Sequence, residues 1–508
     1  MKPVRIIIEN IPEGPLAISE IKYTFRALLS IAGLPFHFIE DEKERADIYY
    51  GKACPGDYGL FIEMADIRRE NIGRPIKAVK ENNHVFLLFT NRQREDNLLI
   101  TNTNNTCIWN DIILSSFYLL SGWEERFIHR DRKDRHVVQE SFLYREKILH
   151  DPIVNQYSTM LRNLFRTSHN PISLWPSNKR YAVALSHDVD YPEMFRWIEV
   201  LRYLGKYRMK SKMRKVIDII IGKESFWKFE DWVKLENRYG LKSAMYFCGA
   251  KGSLLRYVFK APDPFYDVRQ DQFKRVLNYL AQNGFEVGLH SSYLAYQSTD
   301  RFLEEKKTVE ESLREPIFGN RHHYWHMNPD NLSETALIHD EIGLLYDSSV
   351  CFAKRCGFRF GICSPFYLYD PIRLRHARVL ELPTSLMDDH LFKYFGLSYF
   401  SKPQFEIDAL INSVKEHGGV FLVDYHVRGF NETFYPKWVE TYKYILNKIN
   451  EDGDFYSDTP LNIARYWKNR EEDILRESKD EYCGVTKDQI PPSLPLQKGG
   501  IPLFGKEG

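Results

Sequence analysis

Four polar groups stand at or just after apolar, strand-like runs, and their residue types suit hydrolytic chemistry. The first is Ser186-His187-Asp188-Val189-Asp190, directly after the run YAVAL. Carboxylates at i and i+2 on an extended chain point to the same side. One can bind a metal ion while the other takes a proton from the metal-bound water. The competing reading is an Asp-rich turn that caps the next helix. The second is His290, which ends Phe285–Leu289. A lone histidine is usually a satisfied core or surface residue, but at the C-terminal end of a strand in a βα protein it gains weight. The third is Gly319–His326 (GNRHHYWH), where Arg321, His322, His323 and His326 crowd together. Histidine is the commonest neutral metal ligand, and the bland alternative is a polar aromatic loop. The fourth is Val420–His426 (VFLVDYH), whose His426 could serve as a general acid. Such residues converging on one face argue for metal-assisted hydrolysis.

A sheet has to position them. From Arg180 onward, strand-like runs alternate with helical ones. Strands are expected at Tyr181–Ser186, Ser243–Cys248, Glu286–His290, Val379–Leu382 and Val420–Tyr425. Helices are expected at Phe229–Tyr239, Asp271–Asn283, Glu304–Leu313, Leu332–Ile342, Phe405–His417 and Trp438–Asn450. This βα alternation predicts a parallel sheet, and the number of units fits a (β/α) barrel. Residues 1–135 read as a smaller α/β domain, with a strand at Val4–Ile8 and helices at Ser19–Ala32 and Asp111–Gly122. Nothing in it looks catalytic, and its charges are scattered as on a solvated surface. The charge-dense run Glu125–His136 marks the boundary. Residues 136–179 form a connector, with a helix at Pro152–Phe165 and a Pro-punctuated linker at Pro171–Lys179. The barrel-like domain is 180–470. The Pro- and Gly-rich tail, 471–508, is expected to be disordered.

With 508 residues, and roughly 100–200 residues per domain, the chain holds several domains. The net charge of +1 gives no support for a nucleic-acid partner. One local exception is the basic stretch 195–223, which reads either as a solvated amphipathic insertion or as a helix that docks on anionic lipid or an acidic carrier. The seven cysteines are spread out and lack a C-x-x-C pair, so reduced thiols are expected. The N-terminal apolar stretch is broken by Glu9 and Asn10, as in a strand and unlike a signal peptide. No apolar run approaches the ~18 residues of a membrane span. A cytoplasmic location follows as the expectation.

Across about 180–467 the motifs resemble the polysaccharide deacetylase (NodB-homology) superfamily. The resemblance rests on ALSHDVD, GLKSAMYFCG, FEVGLHSSY, GNRHHY, LLYDSS, GFRFGICSPFYLYD, ELP and FLVDYH, in that order. Residues 1–130, with ADIYYG and SSFYLLSGWEE, resemble an extra N-terminal domain of unknown function found in a bacterial branch linked to surface-polysaccharide synthesis. The resemblance implies a distorted (β/α)7 barrel, a divalent metal, usually zinc, and hydrolysis of an acetyl group on a sugar. It implies Asp188 as catalytic base, Asp190 and His290 as metal ligands and Arg321 as the group orienting the base. It implies the Tyr324 backbone N–H as oxyanion donor and His426 as the acid for the leaving amine. The second ligand histidine of the family would fall at 294, where this chain has Leu294, which cannot bind zinc. His323 is the preferred replacement, with His322 and His326 as alternatives. A site that holds no metal well is the other reading. The function expected is a metal-dependent deacetylase acting on an amino-sugar saccharide. The alternatives are an amide hydrolase on a small non-sugar substrate and a non-catalytic component of polysaccharide synthesis.

Overall fold

Two separate sheets carry the chain. The computed structural model describes residues 2–478 except 12, 41–44, 55–57, 92–96, 102–104, 207–212, 254–262 and 394–402. The first sheet uses β1 (Val4–Ile8), β2 (Phe36–Phe38), β3 (Ala46–Gly51) and β4 (Tyr58–Glu63), while β5 (Lys77–Glu81) and β6 (His84–Leu88) form a separate antiparallel pair. With β7 (Leu99–Thr101) and β8 (Thr106–Ile108) its order is β2-β1-β3-β4-β8-β7, parallel except for the last pair. Helices Ile18–Ala32, Ile112–Leu120 and Ile153–His169 pack on one another beside it. Some carboxylates expected on a solvated surface are structural instead. Glu20 is fully buried, accepts from the Ala17 N–H at 2.9 Å and pairs with Arg69. Asp111 caps its helix at the Leu114 N–H (2.7 Å) and accepts from the Tyr50 hydroxyl (2.9 Å).

The second sheet holds the chemistry. Its strands are β9 (Tyr181–Val189), β10 (Ser243–Phe247), β11 (Glu286–Ser291), β12 (Gly319–His322) and β13 (Tyr346–Asp347). A small pair, β14 (Tyr369–Asp370) and β15 (Arg375–His376), lies outside it. It continues with β16 (Leu380–Glu381), β17 (Leu386–Met387), β18 (Val420–Asp424) and β19 (Phe455–Ser457). The order is β16-β13-β12-β11-β10-β9-β18-β17, with β19 also on β9, and every pairing is parallel. β9 is buried along its whole length, as a parallel strand covered on both faces must be. The two outermost strands are joined by residues 382–385 alone, and the sheet curls as a half-barrel. That stretch bonds to the strand beside each edge: the Leu382 N–H donates to the Asp347 carbonyl of β13 at 2.8 Å and the Ser385 N–H to the Leu422 carbonyl of β18 at 3.1 Å.

Most expected elements form within a residue or two of their predicted ends. The differences have local causes. Gly319–His322, not among the expected strands, is a strand because Leu289, His290 and Ser291 pair with Asn320, Arg321 and His322. The helix expected from Glu304 starts at Thr299, capped by the Ser298 hydroxyl. The expected linker 171–179 is anchored: Trp175 is fully buried against Trp467 and Tyr466, and its Nε1 donates to the Gly418 carbonyl at 2.8 Å. The final helix runs Pro460–Glu477, past the expected tail boundary at 471, because Ile474 is still buried. Residues 479–508 of that tail lie outside the described residues. No helix among the described residues is long and apolar enough to cross a membrane.

Trp175→Ala should lower stability by about 3–5 kcal/mol, the usual cost of emptying a buried Trp site, read from the shift in the urea unfolding midpoint. A loose linker would give no measurable shift.

Candidate active site

The polar groups meet at the C-terminal ends of β9, β11, β12 and β18. Small residues beneath the site make room for its floor. A Cβ on Gly288 would come within 2.5 Å of the Tyr246 ring, and one on Gly319 within 2.3 Å of the Tyr346 ring. The two hydroxyls meet at 2.8 Å, and Tyr346 donates to Glu286 at 2.5 Å. Above Tyr246, 4.5 Å from its ring centre, lies the guanidinium of Arg321.

Arg321 is fully buried. Its Nη1 is 3.0 Å from Asp188 Oδ1 and 2.9 Å from Asp424 Oδ1, and its Nε donates to Ser348 Oγ at 3.1 Å. The two carboxylates respond differently. Burial opposes ionisation of Asp188, but His290, Arg321 and His426 hold its pKa below the usual carboxylate range. Burial and the charge of Asp188 push Asp424 well upward, against the pull of Arg321. Of the two, Asp188 is the one whose surroundings favour the ionised form.

Asp190 faces the histidines. Its Oδ1 lies 3.2 Å from His290 Nε2 and 3.6 Å from His323 Nε2. Its Oδ2 lies 3.1 Å from both His426 Nε2 and Arg428 Nη1. Burial works against its charge, but His323, His426 and His290 keep its pKa well below the normal value. His290 Nδ1 donates to the Arg321 carbonyl at 2.7 Å, which leaves Nε2 facing Asp190. Burial would lower the pKa of His290, but Asp188 and Asp190 raise it to about 9. Asp190, His290 and His323 offer one donor atom each within 4.8 Å of one another, and all three are buried. A carboxylate and two imidazoles are a donor set that fits a divalent cation such as zinc. His323 Nδ1 lies 3.6 Å from Asp263 Oδ1, a carboxylate behind a potential ligand imidazole.

His426 is anchored on its other side. Its Nδ1 is 2.8 Å from Asp388 Oδ1, and its N–H donates to Asp388 Oδ2 at 2.7 Å. The neighbouring carboxylates Asp388 and Asp190 raise its pKa well above 6.5 despite burial. Tyr324 sits in left-handed backbone conformation at φ 60°, which turns the chain at the rim of the site. The Lys133 ammonium lies 3.8 Å from its ring centre.

The structure thus gathers Asp188, Asp190, His290, Arg321, His323, Tyr324 and His426. It excludes three other positions. Leu294 is 37% exposed. His326 stacks on Tyr293 at 3.8 Å between ring centres, and its Nδ1 bonds the Tyr293 carbonyl at 2.7 Å. His322 pairs with His339 through their Nε2 atoms at 2.9 Å. Burial lowers the pKa of both rings, so they form a neutral pair. Sequence reasoning missed Asp263, Asp388, Asp424 and Arg428. Asp424 and His426 stand two apart at a strand end, a spacing that signals a shared face; Asp388 follows a strand too short to read.

A family model described as a family of unknown function (DUF7033) matches residues 14–170. No curated protein matches the chain. Among solved structures, a probable polysaccharide deacetylase from Pseudomonas aeruginosa PAO1 is similar with a TM-score of 0.38 and 14% identity, covering 60% of this chain and 96% of that one. PuuE allantoinase is similar with a TM-score of 0.39 and 14% identity over 60% of this chain and 95% of that one. The peptidoglycan deacetylase PdaC from Bacillus subtilis gives a TM-score of 0.28 and 13% identity, covering 59% and 96%.

Removing Arg321 would leave Asp188 and Asp424 buried without their cation. Arg321→Met should therefore cost about 3–5 kcal/mol of stability, measured by thermal and urea unfolding. A change below about 1 kcal/mol would mean that this charge carries little of the site.

Proposed function

We propose that the chain is a metal-dependent hydrolase that removes an acetyl group from an amino sugar of a surface polysaccharide or its precursor. The observation that carries this reading is Asp190 Oδ1 facing the Nε2 atoms of His290 and His323, with Asp188 and His426 beside them. The motif order across 180–467 supports it, and we read the curled sheet as a distorted (β/α)7 barrel. Asp190, His290 and His323 would hold the cation, zinc by its preference for nitrogen and oxygen donors. When bound, such an ion polarises an acyl carbonyl and lowers the pKa of water.

The remaining work falls to side chains. Asp188, kept ionised and oriented by Arg321, accepts the proton of the attacking water. The Tyr324 backbone N–H, at the rim turn, donates to the oxygen that gains charge on the acyl carbon. His426 holds its proton on Nε2 while Asp388 fixes Nδ1, and it hands that proton to the departing amine nitrogen. Asp388 is a positioning residue in this scheme. No disulfide forms among the described cysteines, which suits a reducing compartment, and we place the protein in the cytoplasm.

One observation favours a second reading. Asp190 Oδ2 already pairs with Arg428 and His426, so the carboxylate is compensated without a cation. On that reading the chain is a metal-poor, non-catalytic component of polysaccharide synthesis.

Elemental mass spectrometry and acetate release separate the two. Wild type should bind about one zinc per chain, the occupancy of one such site, and release acetate from N-acetylglucosamine oligosaccharides. His323→Ala should lose the zinc, whereas His326→Ala and His322→Ala should keep it. Asp188→Asn should keep zinc but lose activity. Asp388→Asn should lower kcat by about 10²–10⁴, the range of general acid–base effects. Absence of zinc in wild type after incubation with it would favour the second reading.

A further inference from the structure

The chain leaves Asp190 directly into the basic stretch singled out in the sequence. It forms two helices, Arg196–Lys206 and Met213–Ile220, with residues 207–212 between them outside the described set. The helices run side by side in opposite directions, since Arg196 Nη1 donates to the Ile220 carbonyl at 3.3 Å. Their inner faces seat on the rim of the candidate site. Val200 and Ile219 are buried. The Tyr203 ring meets Phe434 at 5.8 Å, and Lys215 Nζ donates to Thr433 at 2.9 Å. That rim segment follows immediately after His426 and Arg428.

The outer faces are unusual for a surface helix, which is normally polar on the side away from the core. Trp197, Leu201 and Met213 are 72%, 71% and 70% exposed, and Ile217, Ile220 and Ile221 are exposed beside them. Trp197 and Leu201 are four residues apart, as are Met213 and Ile217, so each pair lines one face. Residues 195–223 carry nine Lys or Arg against Glu199 and Asp218, a surplus of seven positive charges in a chain whose total is +1. Both acids are already paired, Glu199 with Arg202 and Asp218 with Lys223. Arg196, Arg214 and Lys223 are exposed alongside the apolar residues.

We propose that these two helices form a docking element that seats the protein on a bilayer containing anionic phospholipid. Apolar side chains, a tryptophan among them, enter the headgroup boundary, and the surrounding Lys and Arg pair with lipid phosphates. The charge argues against a second copy as the occupant, because two such surfaces repel each other. Docking places the strand ends that bear Asp188 and Asp190 beside the membrane. Resting on the hydrolase reading, this makes the substrate a saccharide held at the membrane by a lipid anchor.

Vesicle flotation of the full chain tests the docking without reading any activity, so its outcome stands apart from that of the hydrolase reading. Wild type should float with vesicles of phosphatidylglycerol and phosphatidylcholine, less so as salt rises, and should not float with phosphatidylcholine alone. The double variant Trp197→Ser, Ile217→Ser should lower the bound fraction at least about tenfold, given the loss of two inserted apolar groups. Arg214→Glu with Lys223→Glu should do the same, each variant keeping the circular dichroism of wild type. No flotation of wild type, or flotation unchanged in both double variants, would overturn the proposal. So would a dimer in sedimentation that Trp197→Ser, Ile217→Ser dissolves, because it would assign the patch to a second copy.

Discussion

The site depends on one buried cation. Arg321 sits without solvent between Asp188 and Asp424, on the ring of Tyr246. Such a charge is expensive to bury unless it is paired. Its carbonyl also fixes His290 through Nδ1. One residue thus pairs with the candidate base and fixes the orientation of a candidate ligand. Gly288 and Gly319 matter because they admit Tyr246 and Tyr346, the floor on which that guanidinium rests.

The curl of the sheet supplies the rest. Asp188 and Asp190 come from one strand end, His290 and Arg321 from paired positions on the next two but one, and His426 from the neighbour on the opposite side. The pairing of β17 with β18 brings Asp388 to His426. None of these groups is adjacent to its partner in sequence, so the arrangement exists only once the parallel pairings have formed.

Much of this was legible in the residues. Long apolar runs ending in a polar side chain gave β9, β11 and β18 and the candidate residues Asp188, Asp190, His290 and His426. The choice among His322, His323 and His326 depends on the end of β12, where His322 and His323 face opposite sides, and on the left-handed turn at Tyr324 and Trp325 that carries His326 elsewhere. Asp388 and Asp263 stayed hidden for another reason. The strand before Asp388 is two residues long, and Asp263 stands at no strand end. The packed role of Trp175 was masked by its prolines, which read as a linker although the indole belongs to the core.

The rim joins two kinds of surface: buried charges that can hold a cation, and apolar helices with a basic fringe that leave the chain just after Asp190. The central claim concerns the first. Anomalous diffraction at the zinc edge from zinc-soaked crystals tests it most directly. The account predicts one anomalous peak about 2.0–2.2 Å from Asp190 Oδ1, His290 Nε2 and His323 Nε2. A peak elsewhere, or none with Asp190 still paired to Arg428, would contradict it.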